Sequence, residues 1–378
     1  MSDFHSITDF LDPLDLYMIS DDDSYKEGQI GKIISIYESR LPDIDEAEIV
    51  LVGCNEQRGQ LARKISLNGP DTIRRQFYQL FYWHGDIKIA DIGNIREGAS
   101  LADTYAALKT VISELLHYGK TVIILGGSHD LTLAQYHAYA GFKQIIEATV
   151  VDARVNLSIE SPEPGENFLM EMLTGEPNFI RHYNHIGFQT YFVHPYILET
   201  MDKLRFDCYR LGIVKENMEE MEPVIRHSEL FSFDITAMSH AYAPSHSVSP
   251  NGFDGEQACL LMRYAGLSTK TNTIGIYGYL PEKDKDNLTA KQISQMLWYV
   301  MDGRSRGSRE ASLEERDSFN EYHTVFNELQ TTFLQSKKTG RWWMQLPDKQ
   351  FIACSQKDYL LASSNEMPER WLRAQERL

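Results

Sequence analysis

His129, Asp152 and Asp234 each stand just beyond a short apolar run, and together they offer one imidazole and two carboxylates to a common ligand. The run 121–125 stops at Gly126-Gly127 and His129 follows; the run 148–151 leads straight into Asp152; Ser232-Phe233-Asp234-Ile235-Thr236 carries Asp234 at the end of a third. If these runs are parallel strands, all three side chains share the rim beyond the strands' carboxyl ends, where open sheets collect ligands. Nitrogen and carboxylate oxygen donors suit a hard or borderline cation such as Mn²⁺. A fourth run ends at Gly278-Tyr279-Leu280-Pro281.

The elements that must position these residues are legible as eight candidate strands: 49–53, 87–92, 121–125, 148–151, 185–188, 208–213, 230–233 and 273–277. Segments with helical spacing, such as 102–118 and 255–265, lie between most of them. Strands alternating with helices predict an α/β protein of three layers, a mostly parallel eight-stranded sheet covered on both faces. The spacing divides the chain into an N-terminal extension (1–45), the α/β domain (46–302), a polar loop or linker (303–318) and a C-terminal extension (319–378). The loop is read from Gly303-Arg304-Ser305-Arg306-Gly307-Ser308-Arg309. Beyond it, 319–334 has helical spacing, 341–351 reads as a hairpin around Leu346-Pro347-Asp348-Lys349, and 367–378 as a closing helix. Adjacent Trp342 and Trp343 would point to opposite faces of a strand. One is expected against the main domain and the other under a subunit or partner.

Across 378 residues, 37 Lys and Arg stand against 54 Asp and Glu, and the net charge of −17 argues against nucleic acid or an anionic membrane as a partner. The four cysteines are widely spaced, with no Cys-x-x-Cys pair, so no disulfide framework or zinc knuckle is expected. Residues 1–20 lack the basic and apolar regions of a signal peptide, and no apolar run suffices to span a bilayer, so a cytoplasmic location is expected.

Between about residues 48 and 303 the sequence resembles the ureohydrolase family of arginase, agmatinase and formimidoylglutamase. The resemblance rests on Gly126-Gly127-Ser128-His129-Asp130 against the family's Gly-Gly-Asp-His-Ser, on Asp152-Ala153-Arg154-Val155-Asn156 against Asp-Ala-His-x-Asp, and on Ser232-Phe233-Asp234-Ile235-Thr236 against Ser-x-Asp-x-Asp. Asn68-Gly69-Pro70, Ala241-Tyr242-Ala243-Pro244 and Asp286-Asn287-Leu288-Thr289-Ala290 support it, and Gly165-Glu166-Asn167-Phe168 looks most like a formimidoylglutamase loop. The resemblance implies an arginase-like fold and a pair of Mn²⁺ ions on six side chains. Three of those ligand positions keep their residue types: His129, Asp152 and Asp234. The other three carry Arg154, Asn156 and Thr236, and the family's substrate-binding glutamate falls on Gly278.

Arginine has no lone pair and stays protonated, so it cannot ligate a cation. The expectation is therefore that Arg154 fills the second metal position and pairs with Asp152 and Asp234. His129, Asp152, Asp234 and the amide oxygen of Asn156 would be left to hold at most one Mn²⁺, or none. His240 and His246 are weighed as substitute ligands and read as surface residues. The main functional expectation is a non-catalytic scaffold, subunit or regulator with a protein partner or a homo-oligomeric assembly and no direct membrane insertion. The alternative is a formimidoylglutamase-like hydrolase of linear amidines or guanidines using one metal ion; a small-molecule ligand without turnover is a third reading.

Overall fold

Runs of branched and apolar residues too short for helices become strands here, and most are buried at every position because both faces of the sheet are covered. The computed structural model describes residues 4–20, 25–60, 68–158 and 160–376; the acidic run Asp21-Asp22-Asp23 lies outside them. Two short strands, β1 (Leu11–Asp12) and β2 (Ser35–Ile36), come first. The eight expected strands follow: β3 (Ile49–Gly53), β4 (Ile89–Ile95), β5 (Thr121–Leu125), β6 (Ile146–Val151), β7 (Ile180–Phe188), β8 (Asp207–Arg210), β9 (Leu230–Asp234) and β10 (Thr273–Tyr277). These eight lie in the order β4-β3-β5-β10-β9-β6-β7-β8, every neighbouring pair parallel. β1 pairs antiparallel and β2 parallel with β4. The N-terminal segment thus completes the sheet's edge and extends it to ten strands.

Alternation along each strand feeds two cores. Leu51, Ile123 and Ile274 pack with the helices Gly69–Phe77, Gly255–Leu267 and Leu288–Gly307. Val50, Val122 and Ile124 pack with Leu101–His117 and Leu131–His137 on the other face. Among the described residues, no helix is long and apolar enough to cross a membrane.

The polar loop expected from residue 303 begins later, because the last helix of this domain runs on to Gly307. A Cβ on Gly303 would stand 2.3 Å from the Arg263 carbonyl oxygen, and one on Gly307 2.4 Å from that of Leu267, so the glycines let two helix backbones touch. Arg304 is buried, donating to the carbonyls of Ser268 (3.0 Å) and Thr271 (2.7 Å) and to Thr121 Oγ1 (2.8 Å). A composition that reads as solvated loop is here a helix–helix contact.

The segment expected to be helical over 319–334 is a hairpin, β11 (Phe319–Phe326) and β12 (Leu329–Ser336). Asn327 and Glu328, both at positive φ (46° and 66°), form its two-residue turn, the geometry that matches strand twist. β13 (Trp342–Gln345) and β14 (Phe351–Cys354) complete a four-stranded antiparallel sheet. The two tryptophans do face opposite ways. Trp343 lies under the Arg226 guanidinium of the main domain (4.5 Å), whereas Trp342 stacks against Tyr322 (5.2 Å) and Tyr359 (5.0 Å), whose rings also touch each other. Tyr359 belongs to the helix Gln356–Ser363, so this chain covers Trp342 itself, where a partner had been expected.

Candidate metal centre

Four adjacent strands, β5, β10, β9 and β6, bring their carboxyl ends together. Val151 pairs with Phe233 and Tyr277 with Asp234, which sets Asp152 beside Asp234 with Gly278 on the far side. After β5 the chain turns sharply through Gly127, where φ is +81° and a Cβ would stand 2.2 Å from Leu131 Cδ1. This turn aims the His129 ring back over the strand ends, between Phe168 (4.9 Å) and Tyr277 (5.8 Å).

His129, Asp152 and Asp234 are all buried, and each offers one ligand atom within 4.8 Å of the others. His129 Nδ1 lies 2.8 Å from Asp152 Oδ2 and 3.5 Å from Asp234 Oδ2. Its Nε2 faces Ser232 Oγ at 3.0 Å, and Ser232 Oγ lies 2.7 Å from Thr132 Oγ1. With Nε2–H donating to Ser232, the Nδ1 lone pair points at the carboxylates, the arrangement by which a neighbouring hydrogen bond orients a metal-binding imidazole. Asp152 is also held by the Arg154 backbone N–H (3.0 Å) and Thr236 Oγ1 (3.1 Å) on Oδ1, and by Asn156 Nδ2 (2.7 Å) on Oδ2. Asp234 Oδ1 accepts from the Thr236 backbone N–H at 2.7 Å.

The three groups shift one another's ionisation. Burial and the nearby Asp152 push the Asp234 carboxyl up to about 6, while burial opposes ionisation of Asp152 but the His129 imidazole outweighs it and holds that carboxyl low. Burial disfavours the charged His129 ring, yet Asp152, Asp234 and Asp130 overcome this and raise its pKa. A divalent ion in place of the imidazolium proton would serve both carboxylates, and the oxygen-rich donor set fits Mn²⁺.

Arg154 does not occupy this space. Its side chain is exposed and its guanidinium rests 5.7 Å from the Phe192 ring; among the described residues it forms no ion pair with Asp152 or Asp234. The expected substitution of a fixed positive charge for the metal is thereby corrected: the backbone N–H of Arg154 binds Asp152, and this anchors the residue while the side chain leaves the centre. Asn156 turns its amide nitrogen to Asp152, so its oxygen reaches an ion only if the amide turns over. His246 is buried, not superficial; its Nε2–H donates to the Met238 carbonyl (3.0 Å) and its Nδ1 accepts from the Val248 N–H (3.2 Å). His240 Nδ1–H donates to the His246 carbonyl at 2.7 Å, so neither histidine joins the triad.

Gly278 stands directly against the centre. Its φ is +82°, and a Cβ there would lie 2.8 Å from both Asp234 oxygens, so Asp234 fills the room an acidic side chain would need. Gly278→Ala is expected to cost about 1–2 kcal/mol in backbone strain and to displace Asp234. Denaturant unfolding checks the first effect and Mn²⁺ retention the second.

Two contributors escaped the sequence reading. His185 on β7 donates from Nε2 to the Asp152 carbonyl oxygen (3.1 Å) and accepts from the Tyr183 hydroxyl at Nδ1 (3.0 Å), and burial pushes it down to about 4. Ser232 lay inside a quoted motif without a role. Ser232's alternation with Asp234 on one strand, placing both on the same face, was the available signal. Above the triad opens a cleft of about 270 Å³, lined among others by Gln57, Arg154, Glu166, His246 and Lys283.

The family model described as Arginase family matches residues 47–302. This chain belongs to the arginase family. Among curated relatives, the formimidoylglutamase of Staphylococcus aureus (strain MRSA252) is 24% identical over 255 residues, 65% of this chain and 80% of that protein. The formimidoylglutamase of Vibrio cholerae (El Tor Inaba N16961) is 25% identical over 273 residues, 66% and 80% of the two chains. Of solved structures, Trypanosoma cruzi formiminoglutamase with Mn²⁺ superposes with a TM-score of 0.65 at 16% identity, covering 74% of this chain and 99% of that one. Bacillus subtilis formimidoylglutamase gives 0.65 at 16% identity, covering 75% and 95%.

These findings overturn the expectation of a non-catalytic scaffold, subunit or regulator. The relatives are named as enzymes, and although Arg154, Asn156, Thr236 and Gly278 still replace the family's residues, the buried triad remains able to hold a metal and no arginine fills its place. The expectation that a metal is unlikely loses its support as well, because the three buried side chains could hold one ion.

Proposed function

We propose that this chain is a metal-dependent hydrolase of linear amidines, of the formimidoylglutamase kind, cleaving a C–N bond other than a peptide bond with one Mn²⁺. The buried His129–Asp152–Asp234 triad, clear of the Arg154 side chain, carries this reading. Names of the curated relatives support the amidine class. One ion is proposed because Arg154, Asn156 and Thr236 stand where the resemblance places the remaining ligands.

When bound, the ion would activate a water and polarise the amidine as a Lewis acid. His129 Nδ1, Asp152 and Asp234 would hold it. Ser232 orients the imidazole, Thr236 and Asn156 fix the Asp152 carboxylate, and the triad's burial leaves attack confined to the cleft side.

The test pairs metal content with turnover. Protein loaded with Mn²⁺ and desalted is expected to keep about one ion per chain, and a panel of amidines and guanidines that includes formimidoylglutamate should release formamide, ammonia or urea. Absence of both retention and turnover would overturn the proposal.

A further inference from the structure

Two exposed cations line the cleft above the triad. Arg154 follows β6 and Lys283 closes the turn Pro281–Lys283 after β10; both are exposed and both line the cleft. Among the described residues, neither side chain makes an ion pair or a hydrogen bond, although most other arginines of the chain do. The Phe192 face beneath the Arg154 guanidinium limits its freedom without consuming its donors. Lys283 is near enough to help depress the His246 imidazole on the cleft wall. Between β6 and β10 lies only β9, and both cations line the same opening.

We propose that Arg154 and Lys283 form the receptor for a carboxylate on the substrate, placed so that the other end of the molecule reaches the triad. This inference rests on the hydrolase reading and adds its specificity. A guanidinium presents a planar fork matched to a carboxylate, and Lys283 adds a point charge beside it. Glu163 and Glu166, at the start of the helix Pro164–Thr174, border the same cleft and turn an anion away from that wall toward the two cations. Gly278 agrees with this polarity: with Asp234 in the space of an acidic side chain, the strand end offers no carboxylate to a cationic substrate tail.

The probe is glutarate, with glutaramide as the neutral isostere and cadaverine as the cationic one, titrated calorimetrically into the full chain with and without Mn²⁺. Glutarate should bind and the other two should not. Arg154→Gln should weaken glutarate binding roughly tenfold to a hundredfold, the worth of a charge-assisted hydrogen bond, with part recovered in Arg154→Lys. Because both side chains are exposed, unchanged melting of each variant confirms the fold. No glutarate binding, equal binding by Arg154→Gln and Lys283→Gln together, or a preference for cadaverine would overturn the receptor. Its failure is separable from that of the hydrolase reading. Arg154→Gln should raise KM for a carboxylate-bearing amidine while leaving kcat in place; turnover with KM unchanged sinks the receptor alone, and Arg154-dependent glutarate binding without turnover on any amidine sinks the hydrolase alone.

Discussion

Asp152→Asn is expected to abolish Mn²⁺ retention and to lower kcat by at least about a hundredfold, the scale seen when a preorganised electrostatic group is removed. Asp152 is the residue on which the centre converges: it faces His129, and it accepts from Asn156, Thr236 and the Arg154 backbone. An amide presents a donor where one of these donors already points, so one buried hydrogen bond is lost at a cost of about 1–3 kcal/mol. Relief of repulsion with Asp234 offsets part of that, which makes metal content by elemental analysis the sharper readout than stability. Full Mn²⁺ occupancy with undiminished turnover would show that Asp152 is not a ligand. Thr236→Val, which removes the hydroxyl's hydrogen bond to Asp152 Oδ1 and its interaction with Asp234, should weaken metal affinity roughly tenfold to a hundredfold, as for other groups that orient ligands.

Acid should destabilise the protein through His246. Burial holds its imidazole neutral and pushes it down to about 4, against roughly 6.5 in an unfolded chain. Between these values the unfolded chain binds the extra proton, so stability is full above about pH 6.5 and is lost as the pH falls toward 4, by about 3 kcal/mol from this residue. His227 adds in the same direction: it is half-buried, desolvation and the nearby Lys270 and Arg226 hold its imidazole low, and its Nε2 accepts from the Ala353 N–H (2.8 Å) where the C-terminal sheet docks. Asp234 acts in the opposite sense, since its raised carboxyl pKa removes stability as the pH rises from about 4 to about 6. Urea unfolding at pH 7.5 and 4.5 therefore needs a variant as reference. His246→Gln can keep both hydrogen bonds without titrating, and it should lose about 2.5 kcal/mol less between the two pH values. An identical acid loss in the variant would remove His246 from the account.

Most strands of the main sheet were legible because they are short branched or apolar runs, and a parallel strand buried on both faces tolerates little else; the edge strand β8, Asp207–Arg210, is neither apolar nor buried throughout. His129, Asp152 and Asp234 were legible because each follows such a run, where the backbone must deliver its next side chain to the rim. The segment 319–334 was misread as a helix: its apolar residues also fit period two, and the turn that decides the matter, Asn327-Glu328, lacks the glycine that usually marks a hairpin. The stretch 303–307 was misread as loop because glycine, serine and arginine are also the residues that let one helix press on another and clamp loop carbonyls beneath it.

The sequence by itself determined the parallel sheet, its order of motifs and the three ligand-bearing side chains, since each follows from local pattern and strand ends. Only the tertiary structure decided what Arg154 does. Residue type says that it cannot bind a metal, but the direction of its side chain depends on Phe192, contributed by the turn after β7, and on a backbone N–H already committed to Asp152. Non-local contacts of that kind leave no periodicity in the chain. They separate an arginine that would fill a metal's place from one that stands beside that place.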